Sequence, residues 1–411
     1  MLRSKHFLIF FGVFILFVVL FSVFPEFFSS GMSYDGAPFA LEEKKEKKAG
    51  IPPLDKEAYD KKLEELANNP PPKIITETIT ITDESGKQVK KTVPLDPQPI
   101  PSPNLWPARN ATQYDAGGPV KTIYPKDGAI LPFNRIIAYY GNLYSTKMGA
   151  LGEYPEEEML ARLQAEVDRW NTADPGTPAI PALHYIVVTA QGSPGADGKY
   201  RFRMPDKEID KVLKMADKIP ARNASPARSS YSVSGGRSDA GGNAIVFLDF
   251  QVGWSTIQTE LPLYEKYLKL PNVHVGMDPE FSMKSGIRPG KVVGTYDAAD
   301  INFAAEYMAK VVKENNLPPK ILVVHRYTQK MLTNYQNIKP LPEVQIVMHM
   351  DGWGGSAKKK NTYQQFIYKE PVQFAGFKLF YKNDVFEKGT VLMSPEEILK
   401  LRPKPIYIQY Q

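Results

Sequence analysis

Cysteine is absent from this 411-residue sequence, which excludes a disulfide framework, a thiolate metal site, a cysteine nucleophile and a lipid-modified cysteine behind a signal segment. An exported domain built this way must rest on its packed core. Histidine is scarce, with five residues, and no pair stands in His-x-His or His-Glu-x-x-His spacing, so the common zinc-hydrolase signatures are missing. There is no Gly-x-Ser-x-Gly nucleophile elbow and no Gly-x-x-x-x-Gly-Lys-Ser/Thr phosphate loop. Neither a metal nor an organic cofactor is therefore expected. Charge of one sign is not strongly in excess either: 51 Lys and Arg face 45 Asp and Glu, for a net charge of +6. Without a basic array interleaved with aromatics, no nucleic-acid partner is expected.

What is present begins with an address. Arg3 and Lys5 precede the uncharged apolar run FLIFFGVFILFVVLFSVF, from Phe7 to Phe24. A run of this length suits a transmembrane anchor at the lower limit, or a long signal segment, and the preceding positive charges leave the rest of the chain on the outer side. The expected localisation is extracytoplasmic, with the membrane as a partner through segment 1–30, or secretion if the segment is removed.

Residues 31–132 read as a charged, proline-rich stalk: EEKKEKK at 42–48, NNPPPK at 68–73 and PLDPQPIPSPNLWP at 94–107. Within it, Ile and Thr alternate around a Gly turn over 73–93, as in a small hairpin.

From residue 133 to 411 the pattern becomes globular. Eight β-rich apolar runs recur: RIIAYYG, LHYIVVT, AIVFLDF, VHVGMD, KVVGTY, KILVVH, VQIVMHM and GFKLFY. Between several of them lie amphipathic helical stretches. PEEEMLARLQAEVDRW places Met159, Leu160, Leu163, Val167 and Trp170 on one stripe behind a proline and three glutamates, and SPEEILKL offers Ser394 as N-cap. This rhythm predicts a (β/α)₈ barrel, with an open doubly wound sheet as the alternative and a polar low-complexity insert at 221–243.

In a barrel, the carboxyl ends of the strands form the functional face. Alternation places Asp278, Gly276 and His274 on one side of the fourth run, with Glu280 joining them at the mouth and His274 about 13 Å deeper, in the core. Other strand ends are polar too: Tyr140 and Asn142, Asp249 and Gln251, His325, then His349, Asp351 and Trp353, and finally Lys378. Converging polar termini are expensive to bury unless they are paired or used. A ring of ion pairs such as Asp249 or Asp351 with Lys378 is the purely structural alternative.

The phrases AYYGNLYSTKMGALGEYP, HVGMDPEFSM, ILVVHRYT and MDGWG resemble a family of uncharacterised extracytoplasmic bacterial proteins, which implies export and a barrel-like domain but no activity. Asp278-Pro279-Glu280 also resembles the Asp-x-Glu at the end of the fourth strand of chitinase-like and lysozyme-like glycoside hydrolases. That resemblance implies Glu280 as the acid that protonates the leaving oxygen and Asp278 as its partner. The fuller chitinase pattern has aspartates upstream, where this chain has Val273 and Gly276.

The resulting expectation is a glycoside hydrolase-like barrel acting on an envelope or extracellular polysaccharide. Its catalytic candidates are Glu280, Asp278, Asp249 and Asp351, and its substrate-binding candidates are Tyr140, Asn142, Gln251, His325, Trp353 and Lys378. The alternative is a non-catalytic surface barrel that binds a glycan or a protein.

Overall fold

The computed structural model describes residues 51–66, 76–82, 88–94, 123–219 and 244–411. The apolar segment 1–30, most of the expected stalk and the insert 221–243 lie outside the described residues. Among the described residues no helix is long and apolar enough to cross a membrane.

Eight strands run parallel in chain order: β1 (Arg135–Gly141), β2 (Ala179–Ala190), β3 (Ile245–Phe250), β4 (Val273–Met277), β5 (Lys320–Arg326), β6 (Val344–Met350), β7 (Phe374–Leu379) and β8 (Tyr407–Tyr410). Each pairs with the next, and β8 pairs with β1. That last pairing closes the sheet, so the fold is a (β/α)₈ barrel and not an open doubly wound sheet. Helices α2 (Glu156–Ala173), α3 (Asp206–Asp217) and α4 (Ala298–Glu314) cover it, with shorter helices such as α5 (Ser356–Tyr363) and α6 (Pro395–Ile398) between later strands. Ser394 caps α6 by accepting from the Glu397 N–H, while Glu397 reaches back to the Ser394 N–H.

Two strand assignments change. The run KVVGTY forms no barrel strand: only Tyr296–Asp297 is extended, pairing with Leu332–Thr333 outside the barrel. Val292 is exposed, and the Gly294 N–H donates to the Glu280 carbonyl at 2.6 Å. The run is therefore a loop folded onto the turn that follows β4. The missing strand is Tyr407–Tyr410 at the chain's end, so KILVVH, VQIVMHM and GFKLFY supply the fifth, sixth and seventh strands.

Alternation along the strands divides two apolar clusters. Ile137, Tyr139, Leu183, Val246 and Leu248 pack outward with helix residues such as Met159, Leu163 and Trp170. Ile136, Ala138, Ala182, Ile245, Phe247, Ile321, Val323 and Val347 pack together inside. Read upward, the inward rows turn from apolar to polar: Ile136, Ala138, Tyr140 on β1; Ile245, Phe247, Asp249 on β3; Ile321, Val323, His325 on β5. The lower half of the barrel interior is apolar and the upper half is polar.

The floor has an unexpected contributor. Within the expected stalk, α1 (Lys56–Leu66) buries Tyr59, Leu63 and Leu66 against the inner cluster, and residues 76–82 and 88–94 pair as an antiparallel hairpin. The stalk is thus not uniformly extended, and part of it is a plug for the barrel. Leu63→Ala is expected to lower the unfolding free energy of the full chain by about 2–3 kcal/mol, since a buried leucine is replaced by a cavity. Denaturant titration checks this; a loss below about 0.5 kcal/mol, typical of surface sites, would show that α1 does not seal the floor.

Candidate active site

Inward residues from all eight strands, or from the turns that follow them, meet at the carboxyl end of the barrel. Asp249, on β3, is fully buried at the centre. Its Oδ1 lies 3.2 Å from His184 Nε2 and 3.6 Å from His325 Nε2, and its Oδ2 accepts from the Tyr140 hydroxyl at 3.1 Å. His184 is held from behind by Tyr407, with Nδ1 and Oη 2.6 Å apart, and the Tyr407 oxygen also accepts from Gln409 Nε2 at 2.9 Å. His325 is held by Asp351, Nδ1 to Oδ2 at 2.8 Å, and Asp351 Oδ1 pairs with Lys378 Nζ at 2.9 Å. Lys378 Nζ also stands 4.0 Å over the Tyr140 ring, closing the circuit.

Two glycines make this arrangement possible. A Cβ on Gly276 would stand 2.3 Å from His184 Nε2 and 2.4 Å from Asp249 Oδ1, and one on Gly376 would stand 2.6 Å from His349 Nδ1. Any side chain at either position would collide with the polar layer.

Above this layer sits the turn after β4. Asp278 N-caps a single 3₁₀ turn, Pro279–Phe281, accepting from the Glu280 N–H at 3.2 Å, while its Oδ2 receives Gln251 Nε2 at 3.3 Å. Gln251 also donates to Tyr140 Oη at 3.0 Å and accepts from the Ala190 N–H at 3.2 Å. Glu280 is only partly buried, and the Tyr327 hydroxyl hydrogen-bonds its carboxyl.

These surroundings divide the four carboxyls. Burial pushes Asp278 well above the usual carboxylate range, and the nearby Asp249, Glu280 and Asp351 push it further. Burial and then Asp351 raise Glu280 as well. Burial would also raise Asp249 and Asp351, but His184 and His325 outweigh it at Asp249, and Lys378 and His325 outweigh it at Asp351. Both are held low. Burial lowers His184 to about 4 and drives His349 well below the usual imidazole value, with His325 adding to the effect.

Eight of the ten expected site residues converge here: Glu280, Asp278, Asp249, Asp351, Tyr140, Gln251, His325 and Lys378. Asn142 does not offer a free amide. It is fully buried, donating to the Ile186 carbonyl at 3.2 Å and accepting from the Tyr144 N–H at 2.7 Å, so it shapes the loop after β1. Trp353 stands on the rim, 48% exposed, with Lys358 Nζ 4.2 Å from its ring centre.

His274 lies a layer deeper, as expected, and its Nδ1 accepts from the Ile321 N–H at 3.0 Å. His184, whose early place in the run LHYIVVT would put it well below the mouth, instead sits in the cluster. Strand β2 begins at Ala179 and sets His184 opposite Tyr140 in register. Tyr327, Tyr407 and Gln409 were not anticipated; Tyr327 carried a signal, as the next inward position after His325.

No protein-family model matches the sequence, and no curated protein matches it. Among solved structures, a chain titled "Cellulase Cel5C_n" is similar over 66% of this chain and 72% of its own, with 13% identity and a TM-score of 0.35. A likeness so slight carries no argument about activity.

Proposed function

We propose that the protein is a glycoside hydrolase acting on an extracellular or envelope polysaccharide, with Glu280 as the general acid. The observation that carries this reading is the turn after β4: a carboxyl pair held toward its protonated form at the barrel mouth, one member of which reaches solvent. Cleaving a glycosidic bond requires a carboxylic acid that keeps its proton and a negative group that supports the oxocarbenium-like centre. Glu280 meets the first requirement, and Asp278, anchored by Gln251 and the Glu280 N–H, fixes its turn. Asp351, at the mouth beside Lys378, is the group placed to supply the negative charge. Asp249 is too deeply buried to meet a sugar and acts beneath as a positioning residue.

The rim supports a sugar ligand as well. Tyr144, Trp254 and Trp353 lie on loops that follow β1, β3 and β6, and Phe202 lies on a short strand, Arg201–Arg203, paired with the end of β2; each is more than a third exposed and offers a flat face for stacking. The same faces would serve a barrel that binds glycan without cutting it. In this reading the apolar run 7–24 keeps the chain at the cell surface of a bacterium, next to its polymer.

The test is release of new reducing ends by the full chain from chitin-type, peptidoglycan and plant-type polymers. Cleavage of at least one is expected. The rate should persist through the ordinary carboxylate range and fall as pH rises through the raised Glu280 value, because the acid must be protonated to act. Binding without release from any polymer would reject catalysis in favour of the binding reading.

A further inference from the structure

We propose that His184, Asp249 and His325 form a binding site for one divalent transition-metal ion that favours imidazole ligands, of which zinc is the type. The inference does not rest on glycan cleavage.

Three features of the cluster converge on it. First, the donor atoms are spaced as ligands. One ligand atom from each of the three residues lies within 4.8 Å of the others, and Asp249 Oδ1 is 3.2 Å and 3.6 Å from the two imidazole nitrogens. Ligands about 2.1 Å from a tetrahedral zinc lie about 3.4 Å from one another.

Second, each histidine is oriented from behind through its other nitrogen. His184 Nδ1 is 2.6 Å from Tyr407 Oη, and His325 Nδ1 is 2.8 Å from Asp351 Oδ2. This is the outer-shell arrangement that fixes tautomer and ring plane in metal-ligating histidines.

Third, His325 Nε2 is fully buried and has no hydrogen-bond partner. Nδ1 faces a carboxylate and so holds a proton in either form of the ring; whenever the ring is neutral, Nε2 is a bare lone pair. That lone pair faces a carboxylate oxygen, and two acceptors in a dry interior repel unless a cation stands between them.

His349, whose two nitrogens also lack partners, packs edge-on to His325 with ring centres 5.0 Å apart and stands outside the set.

The two nitrogens and one carboxylate oxygen leave coordination positions for water or ligand oxygen. The residues lie in different parts of the sequence without a shared local motif, so no spacing rule could announce them.

The experiment uses the full chain stripped with a chelator, then titrated with zinc by calorimetry and with cobalt by visible absorption. One ion per chain is expected, together with a zinc-dependent rise in Tm and a cobalt spectrum of low coordination number. His325→Gln and Asp249→Asn should weaken binding by more than about a hundredfold, and Asp351→Asn, which touches only the outer shell, by about 10- to 100-fold. Circular dichroism of each metal-free variant establishes that it is folded. If a variant fails to fold, the wild-type stoichiometry and cobalt spectrum still decide. Absence of stoichiometric binding by the folded wild type would overturn the site and leave a proton as the cation between His325 and Asp249. Binding that survives both ligand substitutions unchanged would overturn it equally, as adventitious surface chelation.

Discussion

Glu280→Gln should reduce polysaccharide cleavage by about 10²- to 10⁴-fold, the usual contribution of a positioned general acid, with little change in KM. The amide keeps the shape of the side chain, and its oxygen can still accept from the Tyr327 hydroxyl, so the turn after β4 stays in place. What is lost is the proton. Because Glu280 is only partly buried, its replacement should leave stability within about 0.5 kcal/mol, which separates a chemical defect from a folding one. The variant's residual rate should also lose the fall at higher pH, since the group responsible for that limb no longer titrates. Reducing-end assays across pH read all three outcomes. Full turnover in Glu280→Gln would contradict the assignment.

Gly276→Ala should destabilise the barrel by about 3 kcal/mol or more, at the upper end of overpacking effects, although it adds one methyl group. The new carbon would stand 2.3 Å from His184 Nε2 and 2.4 Å from Asp249 Oδ1, far inside van der Waals contact. The imidazole cannot simply turn away, because Phe247 stacks on it at 5.1 Å and Tyr407 holds its Nδ1. Asp249 is fixed by Tyr140. The strain therefore reaches the whole polar layer, and cleavage and metal binding should both fall with stability. Urea unfolding of the folded variant measures the first effect. A loss under about 0.5 kcal/mol would mean that the layer is looser than its distances imply.

How much of this was legible in the sequence follows from what periodicity can encode. Seven of the eight strands were visible as apolar runs, because a barrel strand is buried on both faces. KVVGTY passed for a strand because two valines beside a threonine and a tyrosine have strand composition; only the packing of Gly294 on the Glu280 carbonyl, a contact between loops, reveals otherwise. Tyr407–Tyr410 was missed because four residues at the end of a chain show little alternation.

The site followed the same logic. Alternation placed Tyr140, Asp249, Asp278, His325, Asp351 and Lys378 on inward rows, since a two-residue period survives in any register. It could not set the height of one strand against its neighbour. Strand β2 begins four residues before the visible run at Leu183, so His184 rises into the polar layer while His274, on the shorter β4, stays below it. The same limit hid Tyr407. The clearances at Gly276 and Gly376 were equally hidden, because a glycine's role as empty space depends on which side chains face it across the barrel.

The central claim is that the turn after β4 keeps Glu280 protonated where an exposed carboxyl would be ionised. The most direct measurement is an infrared titration of the protonated carboxyl band in the metal-free full chain, comparing wild type with Glu280→Gln. The account predicts a band that persists above the ordinary carboxylate range and is diminished in the variant, in accord with burial and Asp351 raising Glu280. Identical titrations of the two proteins, with no carboxyl band left above that range, would contradict it.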